Sequence, residues 1–295
     1  MAGAPIVSVG MPAYNSEKTL RQSIDCLLGQ ALSDLELVVS DNASTDGTWD
    51  ILQDYARRDP RVRPIRQSVN IGANGNYSAV FLASRGRYFK WASSNDWCAP
   101  RLLQACVDRL EADPGTVLVA PRTRLFESDV DDAVDYRDDI ACRDESPVQR
   151  FIHVGTHLAL NNVMNGVVRR DALAKTRLIE HYPGADVVLV AHLALLGKIE
   201  LLDEALFYRR MDAATATRLM SSADVHRHHY PVPTWRASLP SWRLAAGWLR
   251  VALLTGGLSL RDRTAAVDWV LRRAYWSRAD IGRDLVELLR LGRRS

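Results

Sequence analysis

The sequence predicts an α/β fold, in which helices flank a Rossmann-like, mostly parallel sheet and a helical extension follows at the C-terminus. Short apolar runs, such as residues 6–11 and 35–40, alternate with helical patterns between residues 5 and 120. Each run ends abruptly in small and polar residues. Strands that alternate with helices at this spacing are typical of βαβ units.

The first 120 residues contain five predicted strands and four predicted helices. The strands are residues 6–11, 35–40, 62–66, 88–92 and 116–120. The helices are residues 17–28, 48–58, a segment that follows the loop 70–76 and ends at 84, and residues 100–111. Asn15 and Ser16 are candidates to cap the first helix, because short polar side chains accept from helix N–H groups.

The second half of the chain has a weaker pattern. Residues 121–150 are acidic and irregular, which indicates either a solvated loop or a mobile lid. Residues 187–196 form a strongly apolar run, and residues 201–208 are a predicted strand. Residues 214–229 are a linker or a short helix, and residues 235–295 are predicted to be helical.

Charge is distributed unevenly along the chain. The net charge of +3 is too small to indicate a nucleic-acid partner. Residues 235–295 nevertheless contain twelve Arg and five acidic residues. These helices either pack on the rest of the chain or on a second subunit in a homodimer, or they form a patch that settles on an anionic membrane.

The four cysteines show no metal-binding spacing, and we expect free thiols in a reducing compartment. No secretory leader is recognisable, and no apolar run approaches the roughly 20 residues of a membrane span. These features predict a cytoplasmic protein, with peripheral contact at the inner face of the membrane as the further option.

Polar clusters follow three of the predicted strands, at residues 12–15, 41–46 and 93–96. Parallel sheets bind ligands beyond the carboxyl ends of their strands, so the three clusters should converge on one crevice. Asp41 either accepts from a nucleobase or ribose, or it closes a turn. Asn95 and Asp96 either hold a divalent cation together with a diphosphate, or they too form a turn.

Asp186 is a lone acidic residue before the apolar run, so it is either a helix N-cap or a buried general base. The chain has no Gly-x-x-x-x-Gly-Lys-Ser/Thr loop and no Gly-x-Gly-x-x-Gly after the first strand. This argues against P-loop hydrolysis and dinucleotide redox chemistry. The cluster of His226, His228 and His229 has no neighbouring Cys, and a solvated turn is favoured over a metal site.

Taken together, these motifs resemble the family 2 glycosyltransferases, a large inverting group with the GT-A fold, over residues 5–217. The segments that carry the resemblance are Val9–Asn15, Asp41–Thr48, Asn70–Gly72, Lys90–Asp96, Asn165–Val167 with Arg169–Arg170, Ala185–Asp186, and Phe207–Arg210. The resemblance implies a catalytic domain over 1–217, with a nucleotide-sugar half at about 1–120 and an acceptor half at about 121–217. Residues 218–295 are then a C-terminal helical region.

The resemblance also implies a role for individual residues. Asp186 matches the catalytic base, and Asn165 and Gly166 lie on the acceptor side. Asn95, Asp96 and Asp212 are the candidate ligands of a divalent cation, Mn²⁺ or Mg²⁺. The residues implied in nucleotide-sugar binding are Pro12, Ala13, Tyr14, Asn15, Asp41, Asn42, Ser44, Asn70, Ser94, Arg209 and Arg210.

The implied function is inverting, metal-assisted transfer of a sugar from a UDP-, dTDP- or GDP-sugar to an acceptor hydroxyl. The product class would be a polysaccharide, a glycolipid or a natural-product glycoside. The sequence departs from the family pattern at two places: the metal motif is Ser93-Ser94-Asn95-Asp96 instead of Asp-x-Asp-Asp, and Ala185 replaces an acid. The weakened metal motif motivates an alternative. The alternative is a catalytically weakened partner subunit that binds nucleotide sugar.

Overall fold

A computed structural model of the chain describes residues 3–211 and 239–291. The candidate ligand Asp212, the segment 214–229 and the histidine cluster at 226–229 lie outside these residues. The described strands are β1 Val7–Ala13, β2 Leu35–Asp41, β3 Val62–Arg66, β4 Tyr88–Trp91, β5 Trp97–Cys98, β6 Thr116–Phe126, β7 Val134–Asp135, β8 Val167–Arg169 and β9 Lys198–Arg210.

Helices cover the sheet and form the C-terminal extension. They are α1 Leu20–Leu28, α2 Thr48–Arg58, α3 Ala73–Leu82, α4 Leu102–Ala112, α5 Pro147–His157, α6 Arg170–Leu173, α7 Ala185–Leu196, α8 Pro240–Leu254, α9 Leu260–Trp276 and α10 Arg278–Leu291. Short 3₁₀ turns cover Val130–Asp132 and Asn162–Asn165. Among these helices, none has both the length and the apolar character that crossing a bilayer requires.

The first half of the sheet is parallel, as predicted. Strands β3, β2, β1 and β4 lie side by side in that order, each parallel to its neighbour. Their register places Ala13 opposite Asp41, and Asp41 opposite Arg66. Three strands therefore end at one edge, and their polar loops start from the same place.

The second half of the sheet is mixed. Strand β8 runs antiparallel between β4 and β6, whereas β6 and β9 pair in parallel and β5 pairs antiparallel with β9. Two strand predictions were too short, since β6 continues to Phe126 and β9 extends from Lys198 to Arg210. Residues 121–150 are accordingly not irregular throughout, because their first part pairs with β9 and their last part begins α5.

The C-terminal helices pack on the catalytic body. Trp248 of α8 is buried, with its ring centroid 5.2 Å from that of Phe151 in α5 and 5.3 Å from that of Trp269 in α9. Both helices share one hydrophobic core with α5 and α7. The first of the two expectations for this region, packing on the body, is confirmed for the described helices.

The predicted cap of the first helix is wrong, and one of the two alternatives for Asp186, the helix N-cap, is ruled out. The first helix begins at Leu20, and its N-cap Thr19 makes no side-chain bond to the helix. The predicted cap Ser16 instead donates its backbone N–H to Thr48 Oγ1, at 2.8 Å. Helix α7 begins after Gly184, whose φ of 81° lies in the left-handed region, so Asp186 is in the first turn and is not the cap.

Candidate functional site

The loops after β1 and β2 bind each other directly. Asn15 donates its backbone N–H to Ser44 Oγ at 2.9 Å, and its Oδ1 accepts from the backbone N–H of Thr45 at 2.9 Å. Asn15 and Ala43 both have positive φ, 48° and 59°. Left-handed conformations are uncommon outside glycine, and here they turn the two loops toward each other. Tyr14 remains half exposed beside them.

Asp41 is fully buried at the end of β2. Its Oδ1 accepts from the backbone N–H of Ser44 at 3.0 Å, whereas its Oδ2 has no hydrogen-bond partner among the described residues. The nearest cation is Arg66, whose Nε lies 3.5 Å from Oδ2. Arg66 and Ser44 also line a cavity of about 410 Å³, together with Ala43, Gln67 and Ser68. A buried carboxylate oxygen without a donor can accept from the N–H of a ligand base.

Asn42 connects this cluster to the loop before α3. Its Nδ2 donates to Asn70 Oδ1 at 2.9 Å, and its Oδ1 accepts from the backbone N–H of Ile71 at 2.9 Å. Asn76, which received no role in the sequence analysis, donates to the backbone oxygen of Ser40 at 2.9 Å. Its Oδ1 is a second buried acceptor without a partner in the described part of the chain.

The third polar cluster joins the same crevice through two serines. Ser16 Oγ and Ser94 Oγ lie 2.7 Å apart. Asp96 is buried, and its Oδ1 accepts from the backbone N–H of Arg210 at 2.9 Å. Burial raises the pKa of Asp96, against the opposing effects of that N–H and of the charge on Arg209. Convergence of the three clusters is therefore confirmed by direct contacts.

Two adjacent residues with side-chain oxygens lie at this point. Asp96 has a buried carboxylate, and Asn95 has a neutral amide. Within residues 3–211 and 239–291, no group of three or more His, Cys, Asp or Glu is placed to hold a metal. Mg²⁺ commonly takes only one or two protein carboxylates and completes its shell with phosphate oxygens and water.

The two arginines at the end of β9 bind different parts of the chain. The Arg210 guanidinium donates three hydrogen bonds to loops around the site: Nε to the backbone oxygen of Asn95 at 3.1 Å, Nη1 to that of Glu127 at 2.9 Å, and Nη2 to Gln22 Oε1 at 3.1 Å. Arg209 donates from Nη1 to Asn162 Oδ1 at 2.7 Å. Arg209 is thus the one directed toward the 3₁₀ turn Asn162–Asn165.

Asp186 lies half-buried in the first turn of α7, where its Oδ2 accepts from Asn161 Nδ2 at 2.9 Å. The hydroxyl of Tyr77 in α3 interacts electrostatically with the charges of Asp96, Arg209 and Asp186. Burial raises the pKa of Tyr77, so its hydroxyl stays protonated at neutral pH and remains a hydrogen-bond donor.

A fully buried lysine, Lys90, links the end of β4 to the turn before β8. Lys90 Nζ donates to the backbone oxygen of Trp91 at 2.9 Å and to that of Asn165. Gly166 follows, and a Cβ there would lie 2.3 Å from the backbone oxygen of Val119. Gly166 is therefore required for the close approach of the turn before β8 to the backbone of β6, which is a structural reason for its position.

Several residues of the site were missed by sequence reasoning, namely Tyr77, Lys90, Asp139, Asn161 and Asn162 in addition to Asn76. A signal existed for Lys90, because a lysine inside a buried strand is rarely accidental. Three asparagines within residues 161–165 were a second signal. The other residues gave none, since their roles depend on contacts across the fold.

The comparisons with known proteins agree with this geometry. Residues 8–173 match the family model described as "Glycosyl transferase family 2". Chondroitin synthase from Escherichia coli is 38% identical over 124 residues, which is 42% of this chain and 18% of that protein. The chain spans less than two thirds of the length of the first curated relatives that it matches.

Solved structures share the fold. The S. aureus TarS 1–349 structure in complex with UDP-GlcNAc has a TM-score of 0.63 at 16% identity and covers 91% of this chain and 72% of its own. The mannosyltransferase PcManGT from Pyrobaculum calidifontis, in complex with GDP-Man and Mn²⁺, has a TM-score of 0.51 at 17% identity and covers 97% and 86%. The α/β fold with a curled, mostly parallel sheet and flanking helices is therefore that of GT-A glycosyltransferases.

Proposed function

The chain belongs to glycosyl transferase family 2 and is a glycosyltransferase, and we propose that it moves a sugar from a nucleoside-diphosphate sugar to an acceptor hydroxyl with inversion of configuration. The division into a catalytic domain over 1–217 and a helical region over 218–295 belongs to the same proposal. The product would be a polysaccharide, a glycolipid or a natural-product glycoside.

One observation carries the proposal. At the edge where the parallel strands end, Asp41 has a buried oxygen with no hydrogen-bond donor among the described residues, and Asp96 is buried in the loop after β4. Asp186, at the start of α7, and Asp96 both interact electrostatically with Tyr77. A nucleotide sugar presents three groups in a row: a base N–H that Asp41 would accept, a diphosphate that a cation would link to Asp96, and an anomeric carbon that an acceptor hydroxyl would attack after losing its proton to Asp186. The donor would therefore lie along this edge, with the base at Asp41 and the sugar toward Asp186.

The base pocket would be formed by Pro12, Ala13, Tyr14 and Asn15 after β1, and by Asn42, Ser44 and Asn70 around Asp41. Ser94 lies at the junction with the diphosphate region through its contact with Ser16. Arg209 would add positive charge beside the diphosphate. Arg210, whose guanidinium holds the loops around the site, would act by keeping Asn95 and Asp96 in place.

In the transfer step, Asp186 takes the proton from the acceptor hydroxyl while the hydroxyl oxygen forms a bond to the anomeric carbon. The bond between that carbon and the diphosphate oxygen breaks at the same time, and its electron pair leaves with the nucleoside diphosphate. Attack from the face opposite the leaving group inverts the configuration. Asn165 and the backbone at Gly166 would line the acceptor side.

Asn95 and Asp96 would hold a divalent cation, and Asp212, which lies outside the described residues, is the third candidate ligand. When bound, Mn²⁺ or Mg²⁺ would neutralise negative charge on the diphosphate. A GDP-mannose complex with Mn²⁺ in a structural neighbour supports this part of the proposal. Neighbours that bind UDP, UDP-GlcNAc and GDP-Man support UDP- and GDP-sugars as the first donors to test.

Calorimetric titration of UDP, dTDP and GDP, with and without Mn²⁺, tests the proposal. Tight, metal-dependent binding of one nucleotide, together with release of that nucleotide from its sugar conjugate, is the expected result. Binding without metal and without turnover of any donor would favour the alternative, a nucleotide-sugar-binding partner subunit.

The proposal includes a partner for the C-terminal helices, which we infer to be an anionic lipid surface. Eight of the thirteen large apolar side chains that are exposed in the described part of the chain lie within residues 239–291. Leu254 and Leu260, at the adjoining ends of α8 and α9, are 74% and 79% exposed. A monomer rarely exposes such a cluster without a binding purpose.

Charge favours a lipid surface over a second copy of the chain. Residues 235–295 carry twelve Arg, no Lys and five acidic residues. A symmetric dimer through this face would oppose two positive surfaces, whereas anionic headgroups complement them. Leu, Trp and Tyr side chains next to Arg are the composition that settles at a membrane interface. The location that follows is peripheral, at the inner face of the membrane.

A further inference from the structure

We propose that Asn161 is a positioning residue for Asp186, holding the carboxylate with one oxygen bound and the other directed to the acceptor. This inference rests on the proposed function, because it takes Asp186 as the base. Asn161 Nδ2 lies 2.9 Å from Asp186 Oδ2. Donation to the charged form of a carboxylate stabilises that form, and it also fixes the rotation of the carboxylate plane.

The Asn161 amide presents its NH₂ group to the Asp186 carboxylate. An ionised carboxylate only accepts hydrogen bonds, so the NH₂ end of the amide must face it. That choice leaves Asn161 Oδ1 buried and without a partner among the described residues. An unpaired buried acceptor is unfavourable, because it has given up its hydrogen bonds to water without replacement. The fold keeps this arrangement, which is the pattern expected when the contact serves the site.

The next residue anchors the turn that presents Asn161. Asn162 is buried, its Nδ2 donates to Asp139 Oδ1 at 3.1 Å, and its Oδ1 accepts from Arg209 Nη1 at 2.7 Å. Asp139 in turn accepts from the backbone N–H of Thr123 at 2.6 Å and from its hydroxyl at 3.0 Å. The turn is thus tied to β6 through Asp139 and to β9 through Arg209.

Two adjacent residues of one turn therefore fix the positions of Asp186 and Arg209 relative to each other. Asn161 holds Asp186, and Asn162 holds Arg209. The turn that carries Asn161 is fixed by the contacts of Asn162 with Asp139 and Arg209, so the Asp186 carboxylate cannot rotate freely. Because Asn161 binds Oδ2, the oxygen that takes up the proton is Oδ1. Catalytic groups need such support to remain within a fraction of an ångström of the productive geometry.

The test compares Asn161→Ala and Asn161→Asp with the wild type, and with Thr156→Ala as a matched control. Thr156 is exposed on α5, five positions before Asn161, and bonds only to the backbone of its own helix among the contacts described. The probes are UDP-GlcNAc, UDP-glucose, dTDP-glucose and GDP-mannose. Release of the nucleoside diphosphate with water as acceptor is followed as a function of pH.

For Asn161→Ala we expect kcat to fall about ten- to hundredfold, as for other lost positioning contacts, with the affinity for the nucleoside diphosphate unchanged. The acid limb of the pH profile should move to higher pH, because the charged form of the base loses a donor. Asn161→Asp should move it further, since two carboxylates in contact oppose each other's ionisation. In an Asp186→Asn background, Asn161→Ala should have no further effect.

Two results would overturn the inference while leaving the proposed function intact. One is an Asn161→Ala variant with wild-type kcat and an unmoved acid limb. The other is an equal loss of rate in the Asp186→Asn background, which would indicate a structural role. Failure of the wild type to release nucleotide from any of the four donors would instead count against the proposed function, and the inference would fall with it.

Discussion

The backbone N–H of Arg210 donates to Oδ1 of Asp96 at 2.9 Å, across a separation of 114 residues. The side chain of Arg210 reinforces this contact, since its Nε donates to the backbone oxygen of Asn95. The end of β9 therefore holds the loop that follows β4. The candidate cation ligands owe their position to a strand that lies more than 100 residues later in the chain.

Asp96→Asn is expected to stabilise the folded chain at neutral pH while weakening metal-dependent nucleotide binding. Because burial raises the pKa of Asp96, the folded state binds that proton more tightly than the unfolded state does. The resulting loss of stability is absent below the unfolded pKa, grows as pH rises, and is complete above the folded pKa. Asparagine removes it and can still accept from Arg210.

Urea unfolding between about pH 4 and pH 8 measures this difference. The free energies of unfolding of variant and wild type should converge toward the acidic end, where Asp96 is protonated. A constant difference across this range would show that the Asp96 charge does not oppose folding. Asp203→Asn, at a fully exposed side chain, provides the control.

Asp186→Asn is expected to lower transfer by about a thousandfold, the usual effect of losing a general base. The amide is nearly isosteric, so nucleotide binding should remain. Turnover with the best donor of the panel and calorimetric titration of the corresponding diphosphate are the two measurements. Near-normal turnover by the variant would remove Asp186 from the role of base.

Asp41→Asn is expected to weaken nucleotide binding by about 2 kcal/mol, or roughly thirtyfold in Kd. Its Oδ1 can still accept from Ser44, so the loop is kept. The new NH₂ group replaces the oxygen that lacks a donor and opposes the N–H of a base. Calorimetry gives the change, with Asp50→Asn on the exposed side of α2 as the control. Unchanged affinity for every base would place the nucleotide elsewhere.

Gly166→Ala is expected to destabilise the fold by about 3 kcal/mol, because the new Cβ meets the backbone of β6 and not a movable side chain. Gly256→Ala is the matched control, since a Cβ there has nothing within 4 Å. Chemical denaturation of both variants measures the difference. Equal stability of the two would mean that β6 and the turn before β8 can separate without strain.

Leu254→Glu combined with Leu260→Glu is expected to abolish co-sedimentation with phosphatidylserine vesicles. The two substitutions place negative charge on the exposed apolar cluster, where anionic headgroups would repel it. Leu82→Glu, at an exposed position of α3, should bind vesicles like the wild type. A different result would overturn the lipid-surface inference: the wild type does not bind the vesicles but sediments as a dimer, and the double variant sediments as a monomer. The exposed apolar cluster at Leu254 and Leu260 would then be an interface between two copies of the chain.

The fold could be predicted where the signal is local. Apolar runs of the right length and polar residues at their ends located β1 to β4, and their common direction predicted that Asn15, Ser44 and Ser94 would meet. The same reasoning failed for β6, whose extension to Phe126 is polar in part. Its pairing with β9 supplies the hydrogen bonds that composition alone does not indicate.

The site could be predicted only where a residue follows a strand. Asp41 and Asp96 were identified in this way, and Asp186 from its place before an apolar run and from the family resemblance. Asn161 and Asn162 could not be assigned, because each takes its meaning from a partner at least 23 residues away. A lysine inside an apolar strand stands out in the sequence, but nothing there shows that Lys90 binds the backbone oxygen of Asn165.

The sequence by itself determined the parallel half of the sheet, the edge at which its polar loops gather and the family of the chain. These depend on periodicity and order, which are properties of neighbouring residues. Only the tertiary structure decided that Arg209 binds Asn162 while Arg210 holds the loop of Asp96, and that one oxygen of Asp41 has no donor in the part of the chain that the structure describes. Such facts come from the closing of long loops, which brings distant groups within hydrogen-bonding distance and leaves others unpaired.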